Sequence, residues 1–258
     1  MEQVNYKHKL LLARIEDLAI SVRKYHRVAF TPFLDPAMLS KAEALLKSYN
    51  DLEYRVVGGY PEAERNVILI YPDWMDPDLM DEETVKGPIS ILRIGWDSRY
   101  YKVGHRDILG SILGLGIKRE KVGDIIVESS WAYAITSKDI SDYIVQNLTI
   151  VGKAPVTVEE VEAKDLKIIQ KEGKIIKTTV SSLRLDCIAS SGFGISRTKI
   201  VPYISNGMVQ VNWEAITKPD RLLKEGDIIS LRGKGRIKFV EMAGISKKNR
   251  YHVILERW

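Results

Sequence analysis

Residues 182–199 read Ser182-Leu-Arg-Leu-Asp-Cys-Ile-Ala-Ser-Ser-Gly-Phe-Gly-Ile-Ser-Arg-Thr-Lys199, and this stretch decides the fold of the carboxy-terminal third of the chain. Its apolar positions predict a helix from Leu183 to Ser190, and Gly192-Phe193-Gly194 turns the chain. Ser196 then stands at the N-cap of a second helix that Asn206-Gly207 terminates. Pro202 lies six residues beyond that cap, where a missing amide donor predicts a kink. Working outward, a strand Met208–Trp213, a polar stretch Glu214–Gly226 and a strand Asp227–Leu231 lead into Arg232-Gly-Lys-Gly-Arg-Ile-Lys238. Alternation in that run would set three cations on one face of an extended segment. Arg250–Trp258 reads as one more strand or an adhering tail.

The charge is segregated. The 258-residue chain has a net charge of +5, yet residues 174–240 hold twelve bases and five acids, so this quarter carries +7 and the rest −2. That is the footprint of a module that binds a polyanion. At the second helix, the amides of the first turn beside Arg197 and Lys199 form a phosphate-binding arrangement.

Upstream, the apolar residues Leu11, Leu12, Ile15, Leu18, Ala19 and Val22 predict a helix over Lys9–Tyr25, and Asp35-Pro36 opens another that runs to Tyr49. Strands Leu52–Val57 and Asn66–Tyr71 flank Gly58-Gly59-Tyr60-Pro61, which makes residues 1–72 a small α+β unit. Six acids and no base between Asp73 and Glu83 mark residues 73–86 as an acidic linker. Residues 87–155 then follow a β-α-β-β-α-β order. Its elements are strand Ile89–Trp96, helix His105–Gly116, strands Asp124–Glu128 and Trp131–Ile135, helix Ser137–Asn147 and strand Leu148–Val151. This predicts an RRM-like sandwich with two helices on one sheet face and the other face open. Residues 156–180 read as a strand-rich connection, 181–240 as the basic module and 241–258 as its tail. The fold class is α+β and multi-domain.

Within the central unit, Gly110, Gly114 and Gly116 would let a helix pack closely on a sheet or on RNA, and Lys118 and Arg119 sit where a helix C-terminus favours cations. His105 and Arg106 open that helix. Trp131 and Tyr133 share one strand face, placed either to stack bases or to pack beneath the helices. One cysteine, Cys187, and four scattered histidines at His8, His26, His105 and His252 predict no disulfide, no metal site and no cofactor. Met1–Lys9 has no apolar leader and no run approaches the length of a membrane span, so a cytoplasmic protein is expected.

Four blocks carry a resemblance: Ser182-Leu-Arg-Leu-Asp-Cys-Ile-Ala, Gly192-Phe-Gly-Ile-Ser-Arg-Thr-Lys, Ile204-Ser-Asn-Gly-Met-Val-Gln-Val-Asn-Trp and Lys224-Glu-Gly-Asp-Ile-Ile-Ser. In this order they resemble the S4-like RNA-binding domain. With Gly104-His-Arg-Asp-Ile-Leu-Gly-Ser-Ile-Leu-Gly-Leu-Gly-Ile-Lys-Arg-Glu-Lys-Val-Gly-Asp-Ile125 upstream, most of the chain is similar to the YlmH-like group of bacterial proteins and the related photosystem II S4-domain proteins. The resemblance implies a monomeric, non-catalytic binder of structured RNA, rRNA or tRNA on the large ribosomal subunit, acting in translation or ribosome quality control, with no DNA or membrane partner. Its RNA contacts would be Arg184, Ser196, Arg197, Lys199, Asn212, Lys218, Arg232, Lys234, Arg236 and Lys238. A secondary set comprises His105, Arg106, Lys118, Arg119, Trp131 and Tyr133.

The competing expectation is an RNA-modifying enzyme of pseudouridine synthase or methyltransferase type, with its catalytic domain in the first two units. Against it, Arg184-Leu185-Asp186 opens a helix of the basic module rather than a catalytic loop, and Gly192-Phe-Gly-Ile-Ser-Arg lacks a third glycine. Cys187, between Leu185 and Ile188, reads as a core thiol. A protein adaptor working through the acidic linker is the third expectation.

Overall fold

The computed structural model describes residues 2–76, 88–166 and 173–258, and the chain divides into two compact units, one ending at Ile168 and the other beginning at Ile169. The first opens with α1 (Glu2–Tyr25), β1 (Ala29–Phe30), α2 (Pro36–Leu46), β2 (Leu52–Val57) and β3 (Val67–Pro72). The strands form an antiparallel sheet in the order β1-β3-β2. Helical spacing puts Ile15, Ala19 and Val22 of α1 on one stripe. They meet Met38, Ala42 and Leu46 of α2 over Ile68 and Ile70. Asp35 caps α2 by accepting from the Met38 amide at 2.9 Å, and Pro36 follows it. Most of the predicted acidic linker, residues 77–86, lies outside the described residues.

The same unit continues with β4 (Ile89–Gly95), α3 (His105–Gly114), β5 (Val122–Val127), β6 (Trp131–Ser137), α4 (Ser141–Asn147), β7 (Ile150–Val151), β8 (Ala154–Pro155) and β9 (Thr157–Val161). Their antiparallel sheet has the order β5-β6-β4-β9. The last strand differs from the sequence expectation. Residues 150–151 pair only with 154–155 through a turn at Gly152, whose φ is +61°, and the sheet's outer strand is β9, inside the predicted connection. A short edge strand can stay largely polar, and in Thr-Val-Glu-Glu-Val only Val158 and Val161 are partly buried, one against the cluster on each face of the sheet. Two expectations fail on α3: close packing of its glycines on the sheet, and its reach to Lys118 and Arg119. Gly110 and Gly114 have open space where a side chain would stand, so they serve no close packing within the described residues. The helix also ends at Gly114, well short of Lys118 and Arg119.

The sheet face expected to be open is largely covered. Leu92, Ile94, Ala132 and Ala134 lie under α3 and α4. On the opposite face, Ile91, Tyr133 and Ile135 pack against Val67 of β3 and Phe33 of the segment between β1 and α2. Both sheets present an apolar second face, and burying each against the other removes both from water.

Asp124 adds polar bonds to this junction. A β-bulge between Val122 and Ile125 leaves Gly123 and Asp124 out of register and turns the Asp124 carboxylate to the 60–65 loop. There it accepts from the Tyr60 hydroxyl at 2.8 Å and from the amides of Glu64 and Arg65 at 2.7 and 3.2 Å. Burial first, and the Asp124 charge second, push the Tyr60 hydroxyl well above the ordinary phenol range. Gly123 is required by contact, since a Cβ there would lie 2.7 Å from the Phe33 ring.

The second unit contains β10 (Lys174–Val180), α5 (Leu185–Phe193), α6 (Arg197–Ser205), β11 (Val209–Val211), β12 (Glu214–Ala215), β13 (Ile228–Leu231), β14 (Gly235–Ile245) and β15 (Tyr251–Arg257). Their six-stranded antiparallel sheet runs β10-β15-β14-β13-β11-β12. Strands expected in a connection and a tail are therefore part of this sheet. Leu185, Ile188, Ala189, Ile200 and Ile204 of the helices pack on Ile229, Ile237, Phe239, Val253 and Leu255, with Cys187 buried among them. A Cβ at Gly192 would come within 2.5 Å of Ile237, which explains the glycine at this helix-to-sheet contact. α6 continues through Pro202 without breaking, losing one backbone bond there but keeping Asn206 N to Pro202 O at 3.0 Å. Among the described residues, no helix is long and apolar enough to cross a membrane.

Replacing Asp124 by asparagine should cost the first unit about 2–3 kcal/mol, because one of two backbone amides then faces a donor. Urea unfolding of D124N beside the parent protein measures it.

Candidate nucleic-acid interface

The basic module organises its cations around a buried carboxylate. Asp186, 1% exposed, sits in the first turn of α5 with its backbone amide bonded to Pro219 O at 3.0 Å. Its Oδ1 accepts from Arg184 Nε at 3.1 Å. Its Oδ2 accepts from Arg184 Nη2 at 3.3 Å and from Arg197 Nη2. Burial opposes ionisation of Asp186, but the hydrogen bonds from Arg197 and then Arg184 outweigh it and hold the carboxyl below its ordinary range. Arg197 is pushed upward in return, chiefly by its bond to Asp186. Both arginine side chains remain well exposed, at 38% and 53%. Each is thus fixed at one end and open to solvent on the other.

The 218–223 segment brings further cations to this place. Leu185 N bonds Arg221 O at 2.8 Å and Leu223 N bonds Leu183 O at 2.9 Å, which lays Lys218 and Arg221 along the start of α5. Arg221 was absent from the predicted contacts, and only this backbone pairing reveals it. Ser196 precedes α6 in extended conformation, but its hydroxyl pairs with Thr198 Oγ1 at 3.0 Å rather than capping a backbone amide. Ser196 thus gives the first turn no side-chain cap, although its carbonyl accepts from the Lys199 amide at 2.9 Å, and the exposed side chains of Arg197 and Lys199 flank that turn.

The remaining candidates separate. Arg232-Gly233-Lys234 forms the tip of the β13–β14 hairpin, with Gly233 and Gly235 at φ of +80° and +91°, so the run is a turn and not an extended three-cation face. Arg236 and Lys238 alternate with buried Ile237 and Phe239, which points them from the sheet face that bears no helix. Asn212, at φ +49°, braces the fold: its Nδ2 donates to Asp227 Oδ1 at 2.8 Å and its Oδ1 accepts from Ile228 N at 2.9 Å. Both polar atoms of the side chain are thus engaged within the fold.

In the first unit, His105 and Arg106 are exposed at the start of α3, whose capping group is Asp107 through the Gly104 amide at 2.9 Å. Lys118 is exposed, whereas Arg119 turns inward to carbonyls of Val122 and Gly123. Tyr133 is 4% exposed and donates to Asp165 O at 2.9 Å, so it has no face to offer a base. Trp131 lies on the uncovered end of the same face, beneath Arg93 at 5.9 Å, and lines an open cleft of about 530 Å³ with Trp96 and Thr157.

Comparison with known proteins follows the same segments. Three family models match: "YlmH, N-terminal" over residues 7–74, "Putative RNA-binding domain in YlmH" over 86–165 and "S4 domain" over 183–229. Ribosome-associated protein quality control protein P2 of Bacillus subtilis (strain 168) is 34% identical over 239 residues, which cover 92% of this chain and 90% of that protein. The solved structure of cell division protein ylmH from Streptococcus pneumoniae is similar with a TM-score of 0.53 and 26% identity, covering 63% of this chain and 95% of that one. With both YlmH models and the S4 model matched in chain order, and a relative this similar along nearly its whole length, the chain belongs to the YlmH family and has an S4 domain at its carboxy-terminal end.

Proposed function

We propose that this protein is a non-catalytic binder of structured ribosomal RNA or tRNA, working in the cytoplasm on the large ribosomal subunit as part of translation quality control. The observation that carries this reading is the Asp186 node, which holds Arg184 and Arg197 side by side at the outer surface of α5 and α6. Ordered cations lose less side-chain entropy when they meet phosphate, and an arginine fork matches a phosphate's oxygens. Lys199, Lys218 and Arg221 widen the surface, and the α6 amides add fixed dipoles. The matched RNA-binding and S4 models support binding over chemistry, and the ribosome-associated relative supports the partner.

The central sheet enters the proposal as an RRM-like platform whose stacking face has been given over to the amino-terminal lobe. Among the described residues of that face, Trp131, with Arg93 above it, is the aromatic left for a base. Arg232 and Lys234, at the hairpin tip, form a second phosphate contact in this reading. Arg236 and Lys238, on the other sheet face, contribute to the field more than to contact.

With about five phosphate contacts, raising salt from 50 to 200 mM should weaken binding to ribosomal RNA fragments by ~10²–10³, and Arg197→Glu with Lys199→Glu should weaken binding and lower the salt slope by about two contacts' worth. Filter binding across a salt series measures both; affinity that ignores salt, or survives the double charge reversal, sinks the assignment.

Asp186→Asn separates ordered cations from bulk charge. The substitution raises the net positive charge, so a purely electrostatic surface would bind RNA more tightly. The node predicts weaker binding, because both arginines lose their anchor. Stability follows the carboxyl's depressed pKa. Its contribution is present above the unfolded value near pH 4 and disappears as pH falls through the lower folded value. Acid unfolding should therefore be steeper below about pH 4 in the parent protein than in D186N, read by circular dichroism.

A further inference from the structure

Two arginines at the junction of the first unit's sheets lack the partner that an enclosed cation requires. Arg65 donates through Nε to Val122 O at 3.1 Å and through Nη2 to Phe33 O at 2.9 Å. Arg119 donates through Nη1 to the carbonyls of Val122 and Gly123. They share one carbonyl, which sets the guanidinium groups side by side. Among the described residues, neither lies within ion-pair distance of a carboxylate.

The nearest acids are engaged elsewhere. Asp35 caps α2, Asp124 accepts from Tyr60 and two amides, and Glu120 stands 3.7 Å from Arg14. Burial lowers Arg65 from its ordinary range, and burial followed by the charge of Arg65 lowers Arg119 to about 10. Each guanidinium has five donors and makes two hydrogen bonds, so about three per side chain are left for a ligand. Both arginines line a cavity of about 560 Å³ whose wall also carries Arg14, Lys118, Asp35 and Glu120.

We propose that this cavity is an oxyanion site that takes a phosphate group, held by Arg65 and Arg119, with Lys118 and Arg14 as outer cations. A phosphate satisfies the leftover donors, brings the charge that the two arginines lack and relieves their mutual repulsion. The cavity is large enough for more than a bare ion, so the phosphate belongs either to a small phosphorylated molecule or to an RNA backbone. The site belongs to the first unit and does not rest on the reading of the S4 cations.

The test uses the full chain labelled with ¹⁵N-arginine, with Arg119 assigned by its missing signal in Arg119→Lys. Inorganic phosphate is titrated against chloride at matched ionic strength. The Arg65 and Arg119 Nε–Hε resonances are expected to move and saturate with phosphate alone. Lys118→Glu, an exposed change whose unaltered melting temperature verifies the fold, is expected to raise the midpoint several-fold. A parallel titration uses a single-stranded RNA decamer without terminal phosphates. If it moves the same two resonances, the phosphate is that of a backbone; if only inorganic phosphate does, the ligand is small. Resonances that follow ionic strength alone, or a phosphate midpoint unchanged by Lys118→Glu, overturn the proposal.

Discussion

Asp124 reaches across the first unit from a bulged strand of one sheet to the loop that follows a strand of the other. The alignment of the two sheets depends on that carboxylate. Apolar surface alone would press the two sheets together at any of several angles, because burial is non-directional. A charged acceptor with one hydroxyl and two amide donors selects one of them. It also fixes Arg65, whose amide is one of the three donors, so the carboxylate that aligns the lobes also places one of the cavity's two inner cations.

The second unit uses the same chemistry toward the opposite end. Asp186 is as enclosed as a core residue, yet its partners extend outward into solvent instead of across a junction. An acid that is enclosed and fully hydrogen-bonded can act as a hinge pin for mobile side chains, provided its own bonds suffice to offset desolvation. Arg184 and Arg197, 13 residues apart in sequence, meet only because α5 and α6 fold back on the Gly194 turn at φ +66°.

Much of this was legible in the chain. The 3–4 spacing of Ile15, Ala19 and Val22 gave α1 its buried stripe, and Asp35-Pro36 marked the start of α2. The four S4-like blocks located the helix pair and the family, as the matched models show. Other parts could not be read from local pattern. β9 looks polar because this edge strand buries only one valine, and that partly, toward each face of its sheet. Tyr133 carries the same alternation whether its face meets solvent or another sheet, and the covering residues Phe33 and Val67 lie far upstream. Arg232–Arg236 has the composition of a cationic ribbon, but two glycines at positive φ reverse it. Asp186 did leave a signal: a lone acid among Leu185, Cys187 and Ile188 on a helix face headed inward must find cations. Asn212 left none that distinguishes a brace from a contact.

The position of β15 ties the second unit to the order in which a ribosome makes the chain. Residues 251–257 lie between β10 and β14, so β10 emerges first and has no strand to pair with until some seventy further residues have been added. Through that interval the helices and β11–β14 can gather, but one edge of β14 is unpaired. The last strand closes the sheet from within rather than extending it. A unit built this way acquires its full cooperativity only once its final strand is free to move, and it folds at a rate set by long-range closure.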